Sequence, residues 1–193
     1  MKTLAPVGGA ALLVVTFAFV AAAQTQGWTP VFDGKTLNAF DPIGDANWRV
    51  ADGAIQADGG KGGFLMSKQS FGDFEIRAEF WVDEKANSGI FLRCANPKAA
   101  GADTCYEVNV FDTRPDPTYG TGAIVDVAKV TTPIKAGGKW NTFEIRAQGT
   151  HLVVTLNGMK TVDIQDPKHA RGPFALQWGA GVVKFRRVEI RPL

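Results

Sequence analysis

Ligands for transition metals are scarce in this 193-residue chain, which has two histidines and two cysteines. His151 opens a predicted strand and His169 falls in a predicted loop, without HxH or HExxH spacing. Cys94 and Cys105 have no CxxC or CxxH companion. The pattern speaks against a dedicated zinc site. Charge of one sign is lacking too: 21 Lys and Arg face 19 Asp and Glu, with no block of like charge. Nucleic acid and anionic membranes are poor partners for such a balance. A Ser-His-Asp signature and a glycine-rich phosphate loop entering a helix are both missing. Helical periodicity is almost absent beyond the amino terminus, and what remains is a chain of alternating strands.

The amino terminus reads as a leader. Lys2 supplies a positive start, Ala10 to Val20 an apolar stretch, and Ala21-Ala22-Ala23 a small-residue cleavage site. Pro6, Gly8 and Gly9 leave the apolar run short of the roughly 20 residues a spanning helix needs. Residues 1–23 are therefore expected to be a signal peptide cut after Ala23. Residues 24–193 are expected to form one periplasmic or secreted domain with no stable membrane anchor. In an oxidising compartment Cys94 and Cys105 are predicted to pair, closing a loop of ten intervening residues. In the chain-entropy model so short a loop gains at most about 3 kcal/mol.

Period-two alternation recurs between Gly, Asn, Asp and Pro. The segment Phe74 to Val82, FEIRAEFWV, places Phe74, Ile76, Ala78, Phe80 and Val82 on one face. VVTLNGMKTVDI reads as a hairpin, because Asn157-Gly158 suit a type I′ turn. Further strands are predicted at 48–50, 54–57, 89–94, 105–111, 123–127, 141–147, 174–178 and 182–190. Residues 97–103 and 165–173 are predicted loops. Roughly eleven strands without a long repeat predict an all-β fold, a two-sheet antiparallel sandwich or jelly roll.

Read in order, FGDFEIRAEFWV (71–82), NSGIFLR (87–93), YEVNVFD (106–112), KWNTFEIRAQGTHLVVTLNG (139–158), GPFALQWG (172–179) and VKFRRVEI (183–190) resemble the 3-keto-disaccharide hydrolase domain family. The resemblance runs from about Trp28 to Leu193. It implies a concanavalin-like jelly roll that cleaves glycosides already oxidised at C3 by a partner oxidoreductase. A ketone at C3 acidifies the C2 proton, so a base can remove it, the enolate can expel the C1 oxygen, and water can add back. Such chemistry asks for a base near C2, donors or a cation facing the enolate oxygen, and an acid for the leaving group. A carbohydrate-binding jelly roll without catalysis is the alternative.

Glu107 and Asn109 occupy strand positions where a buried strand would carry Val or Ile, and two residues apart they share one face. Glu107 is the candidate base or acid, although an ion pair with a cross-strand Arg or Lys would also account for it. Asn109 is a candidate sugar contact. Arg93, closing NSGIFLR, is the candidate cation for a carboxylate or enolate. If Cys94 lies opposite Cys105, however, Arg93 points away from Glu107 unless a bulge intervenes. Asp112 is a candidate for catalysis or for an oxygen-ligated, calcium-like divalent cation, with turn chemistry as its plain alternative. Gln177 and Trp178 are candidate sugar contacts through amide and indole, with core packing the alternative for Trp178. Edge strands of a sandwich would admit a dimer.

Overall fold

The computed structural model describes residues 27–193 together with Met1, so the predicted leader and its cleavage after Ala23 lie outside the described residues. Thirteen strands appear in chain order: β1 Thr29–Pro30, β2 Phe40–Gly44, β3 Arg49–Ala51, β4 Ala54–Ala57, β5 Gly63–Phe71, β6 Phe74–Val82, β7 Asn87–Leu92, β8 Tyr106–Val110, β9 Trp140–Gln148, β10 His151–Leu156, β11 Met159–Gln165, β12 Gly172–Ala180 and β13 Val183–Pro192. The one described helical element is a 3₁₀ turn, Pro117–Tyr119. The fold is an all-β antiparallel sandwich. One sheet runs β11-β10-β9-β6-β13-β4-β3 with β1 added beside β13, and the other runs β2-β5-β12-β7-β8.

Alternation builds the core. Along β6 every second residue is buried, and Phe80 stacks on Phe143 of β9 with ring centroids 4.8 Å apart. Truncating either ring to Ala would cost about 3–5 kcal/mol. The predicted hairpin is present, with Asn157 and Gly158 at φ +52° and +80° joining β10 to β11.

Three departures have physical causes. Strand β2 carries Pro42, which lacks an N–H and confines the segment to a sheet edge, where β2 indeed lies. Strand β5 begins Phe64-Leu65-Met66, which fills both sheet faces and erases the alternation that would have revealed it. Residues 123–127 form a turn rather than the predicted strand. Ala128 N donates to Ile124 O at 2.8 Å, and Asp126 has φ +60°. Their β-branched side chains serve burial, since Ile124 and Val125 are buried beside β8.

The two outer faces differ in chemistry. On the larger sheet, cross-strand register stacks Arg146–Glu75–Arg191 in one row and Glu144–Arg77–Glu189 in the next. Opposite charges directly across strands stabilise a solvated face. On the smaller sheet the outer face instead carries Phe64, Met66, Phe91, Asn109, Gln177 and Glu107, and the loop between the two cysteines lies against it.

Candidate functional site

Strand β8 divides its side chains cleanly. Tyr106, Val108 and Val110 enter the core, whereas Cys105, Glu107 and Asn109 point outward. Register then carries two rows across the sheet, Glu107–Phe91–Ala175–Met66 and Asn109–Gly89–Gln177–Phe64. Glu107, Asn109 and Gln177 are thus brought to one face.

Glu107 is half-buried, and no hydrogen bond holds its carboxyl among the described residues. Burial pushes it up from 4.5 to about 7; Arg114 opposes that shift and Asp126 reinforces it. A carboxyl so placed can both accept and return a proton at neutral pH. Asn109 is fully buried, and its Nδ2 donates to Tyr119 O at 2.7 Å. That bond leaves Oδ1 facing the other way, buried and unpartnered, and Gln177 Oε1 is buried and unpartnered as well. An unmet buried acceptor costs about 1–3 kcal/mol, and an ordered water is the usual partner for such an oxygen. Gly89 places no side chain between them. A Cβ there would stand 2.9 Å from Val108 O and 3.6 Å from Gln177 Oε1.

Beside Gln177 lies a cavity of about 270 Å³, lined by Ile43, Phe64, Lys98, Ala100 and Gly179. Its wall is the loop closed by the Cys94–Cys105 disulfide. Inside that loop Ala95 N donates to Thr104 O at 2.8 Å, and Thr104 Oγ1 donates to Ala99 O at 2.7 Å. Ala100 packs with the disulfide, Met66 and Phe91. A larger recess of about 450 Å³, lined by Val31, Ala39, Phe71 and Ile190, opens between the edges of the two sheets and has no carboxylate.

The remaining predicted site residues go elsewhere. Arg93 takes φ +51° at the end of β7 and buries its guanidinium away from Glu107. Nε donates to Gly72 O at 2.8 Å, Nη1 to Gly149 O at 2.7 Å and His169 O at 3.1 Å, and Nη2 contacts Asp73 Oδ1 at 3.2 Å. With its donors committed to three loops, it is a tie within the fold rather than a cation facing substrate. Tyr106 neighbours it, donating to Asp166 Oδ1 at 2.6 Å, and burial pushes its phenol up to about 12.

Asp112 is similarly committed. Its Oδ1 accepts from Thr121 Oγ1 at 2.6 Å, and its Oδ2 accepts from Ala136 N and Gly137 N at 2.8 Å each. Among the described residues no group of three or more His, Cys, Asp or Glu stands close enough to hold a metal ion. Because Asp112's oxygens already have donors, the residues present do not fit the calcium-like site expected of them. Trp178 alternates to the face opposite Gln177. Its indole lies in the core, 6% exposed, with Nε1 donating to Gly181 O at 2.9 Å. The indole packs the sandwich, and the residue also borders the cavity beside Gln177.

Sequence reasoning passed over Gly89, Lys98, Arg114 and Asp126. Gly89 had a signal, since a glycine inside a strand marks a close approach or a recess. The others sit on loops whose return to the sheet is set only by tertiary packing.

Known proteins share this architecture. A protein of Parabacteroides distasonis ATCC 8503 with a provisional glycosyl hydrolase designation superposes with a TM-score of 0.78 at 20% identity, covering 87% of this chain and 94% of that one. A carbohydrate-binding module from Bacillus subtilis gives 0.62 at 18% identity, covering 86% and 95%. A protein of Bacteroides thetaiotaomicron named 3-keto-disaccharide hydrolase is 28% identical in an alignment of 153 positions that covers 63% of this chain. The aligned region spans about half of that relative, 53% of its length. Residues 27–191 match the model of the 3-keto-alpha-glucoside-1,2-lyase-like domain, and the chain belongs to that family.

Proposed function

We propose that this protein cleaves the glycosidic bond of 3-keto-glycosides by base-initiated elimination followed by hydration, with Glu107 as the base. The observation that carries the reading is the half-buried Glu107 carboxyl, pushed up to about 7, on the outer face that also bears Asn109 and Gln177. Family membership and the name of the Bacteroides relative support the same substrate class.

Glu107 takes the C2 proton, and the C2–H electron pair becomes the C2=C3 bond of an enolate whose charge rests on the C3 oxygen. Return of that charge forms C1=C2 and breaks the bond from C1 to the leaving oxygen. The protonated Glu107 then gives the leaving oxygen its proton, so one carboxyl with a neutral-range pKa serves both halves. Water adds oxygen to C1 and hydrogen to C2, and the net reaction is hydrolysis. Gln177, part-exposed where it lines the cavity, is the amide of this face that meets the sugar, and Asn109 lies fully buried beneath the face.

Export to the periplasm or exterior fits a chain whose cysteines are paired, and an oxidoreductase working on the C3 hydroxyl must supply the substrate. The sandwich shared with a carbohydrate-binding module favours a second reading, in which the same face binds sugar without turnover. The test is release of reducing sugar from 3-ketotrehalose or 3-ketolactose beside the unoxidised disaccharide, with and without EDTA. Cleavage of the keto form alone is the expected outcome. Binding of both without cleavage of either would establish the second reading.

A further inference from the structure

Elimination needs a donor for the C3 oxygen, and the arginine that the sequence offered for that role is consumed inside the fold. We propose that Lys98, carried on the disulfide-closed loop, and the amide nitrogen of Gln177 form the donor pair that receives the C3 ketone and its enolate. The proposal rests on the elimination reading and adds the group that stabilises its intermediate.

Three observations lead to it. Lys98 and Gln177 line the same cavity. No acid pairs with the Lys98 ammonium among the described residues, so its charge is free to meet a ligand in the cavity that it lines. Gln177 turns its Oε1 under toward Gly89, which aims its –NH₂ the other way, toward the cavity. A ketone oxygen carries only lone pairs, so it cannot face the buried acceptors Asn109 Oδ1 and Gln177 Oε1 and has to meet N–H groups. By strand spacing and rise, the Cα atoms of Glu107 and Gln177 lie about 12 Å apart. Glu107 and Gln177 stand on the same face, the base on the strand β8 edge and the donors at the cavity beside β12.

The disulfide gives this arrangement its rigidity. Cys105 belongs to the same outward face as Glu107, and Cys94 and Cys105 anchor both ends of the lysine's loop to that face. The loop's own hydrogen bonds and the packing of Ala100 hold Lys98 at the rim. A donor fixed before the charge develops is worth most in such a site. Lys98 keeps its proton throughout; it stabilises charge and transfers nothing.

The test compares wild type, Lys98→Met, Lys98→Arg and Cys94→Ser/Cys105→Ser on a 3-keto-disaccharide, with kcat and KM resolved and folding checked by thermal melting. Lys98→Met should lose about 10²–10³-fold in kcat with KM within a few-fold, the size of effect for removing one preorganised donor. Lys98→Arg should restore at least a tenth of wild-type kcat. The double serine variant should lose kcat while still folded, and adding Lys98→Met to it should lose little more, since both act through one group. Wild-type turnover that survives in Lys98→Met would overturn the donor role and leave the elimination reading standing. Absence of wild-type turnover on the keto substrate would overturn both.

Discussion

Replacing Glu107 by Gln should make the protein more stable and less active at the same time, and the size of the stability gain follows from the site. Burial raises the carboxyl from 4.5 to about 7, and each pKa unit corresponds to about 1.4 kcal/mol. The charged form therefore costs the folded state on the order of 3 kcal/mol at pH 8. The sign follows from proton binding. The native state holds this proton more tightly than the unfolded chain, so the contribution to stability is fully present below about pH 4.5 and is lost as pH rises through about 7. Glutamine never ionises. Its stability advantage over wild type should be near zero at pH 4 and reach about 3 kcal/mol at pH 8, or roughly 6–12 °C in Tm for a chain of this length. Turnover should fall by about 10²–10⁴-fold, the usual contribution of a general base. Thermal unfolding of both proteins from pH 4 to 8, beside single-turnover cleavage, reads both effects. Equal Tm differences at pH 4 and pH 8 would refute the desolvated carboxyl, and full turnover would refute its role as base.

Other sites give separable outcomes. Gly89→Ala puts a methyl 2.9 Å from Val108 O, so the backbone of β7 and β8 has to shift beside Gln177; the affinity for sugar should drop at least tenfold by calorimetry, and thermal melting should show a loss of stability as well. Arg93→Met strips three backbone carbonyls and Asp73 of their partner, and urea unfolding should show a loss of about 3–5 kcal/mol, the cost of breaking a buried charge arrangement. Asp112→Asn should destabilise by about 1–3 kcal/mol through its loop bonds and keep most of its kcat in the folded fraction. Trp178→Phe should cost about 1 kcal/mol for the lost bond to Gly181 O and leave sugar affinity unchanged by titration.

Much of the sandwich was legible because one-sided strands advertise themselves. Strand β6 alternates without a break, and Asn157-Gly158 declares its turn. The strands buried on both faces, β5 above all, lack that signature. The face of the site was legible in the same way, since Glu107 and Asn109 two residues apart must point together, and their outward direction followed from their polarity. The roles of Arg93, Asp112 and Trp178 were not legible, because each depends on which loop arrives from far along the chain. Arg93 meets Gly72, Gly149 and His169, and Asp112 meets residues 136 and 137. Trp178 differs in kind: period two alone places it opposite Gln177, and nominating both for one groove set that rule aside.

The arrangement of carboxylates also bears on which reaction the face could run. Ordinary glycoside hydrolysis requires two carboxyl groups on either side of the anomeric carbon, about 5–5.5 Å apart for retention or about 6.5–9.5 Å for inversion. Here Glu107 is the carboxyl of the row beside the amide-bearing one, and Asp112 has its oxygens engaged by Thr121, Ala136 and Gly137. Asp126 is an exposed like charge near enough to raise Glu107, and it sits on the tight turn beside β8 rather than on a strand of the face. A single carboxyl cannot stabilise an oxocarbenium ion and protonate the leaving oxygen at once. The elimination route separates those demands in time, because the ketone supplies the electron sink and one proton moves from C2 to Glu107 and on to the leaving oxygen. A face with one neutral-range carboxyl, two amides and a cavity-lining lysine therefore suits a substrate that arrives already oxidised. It should leave the unoxidised disaccharide intact even at millimolar concentration, and measurable cleavage of that sugar by the wild-type protein would contradict the argument.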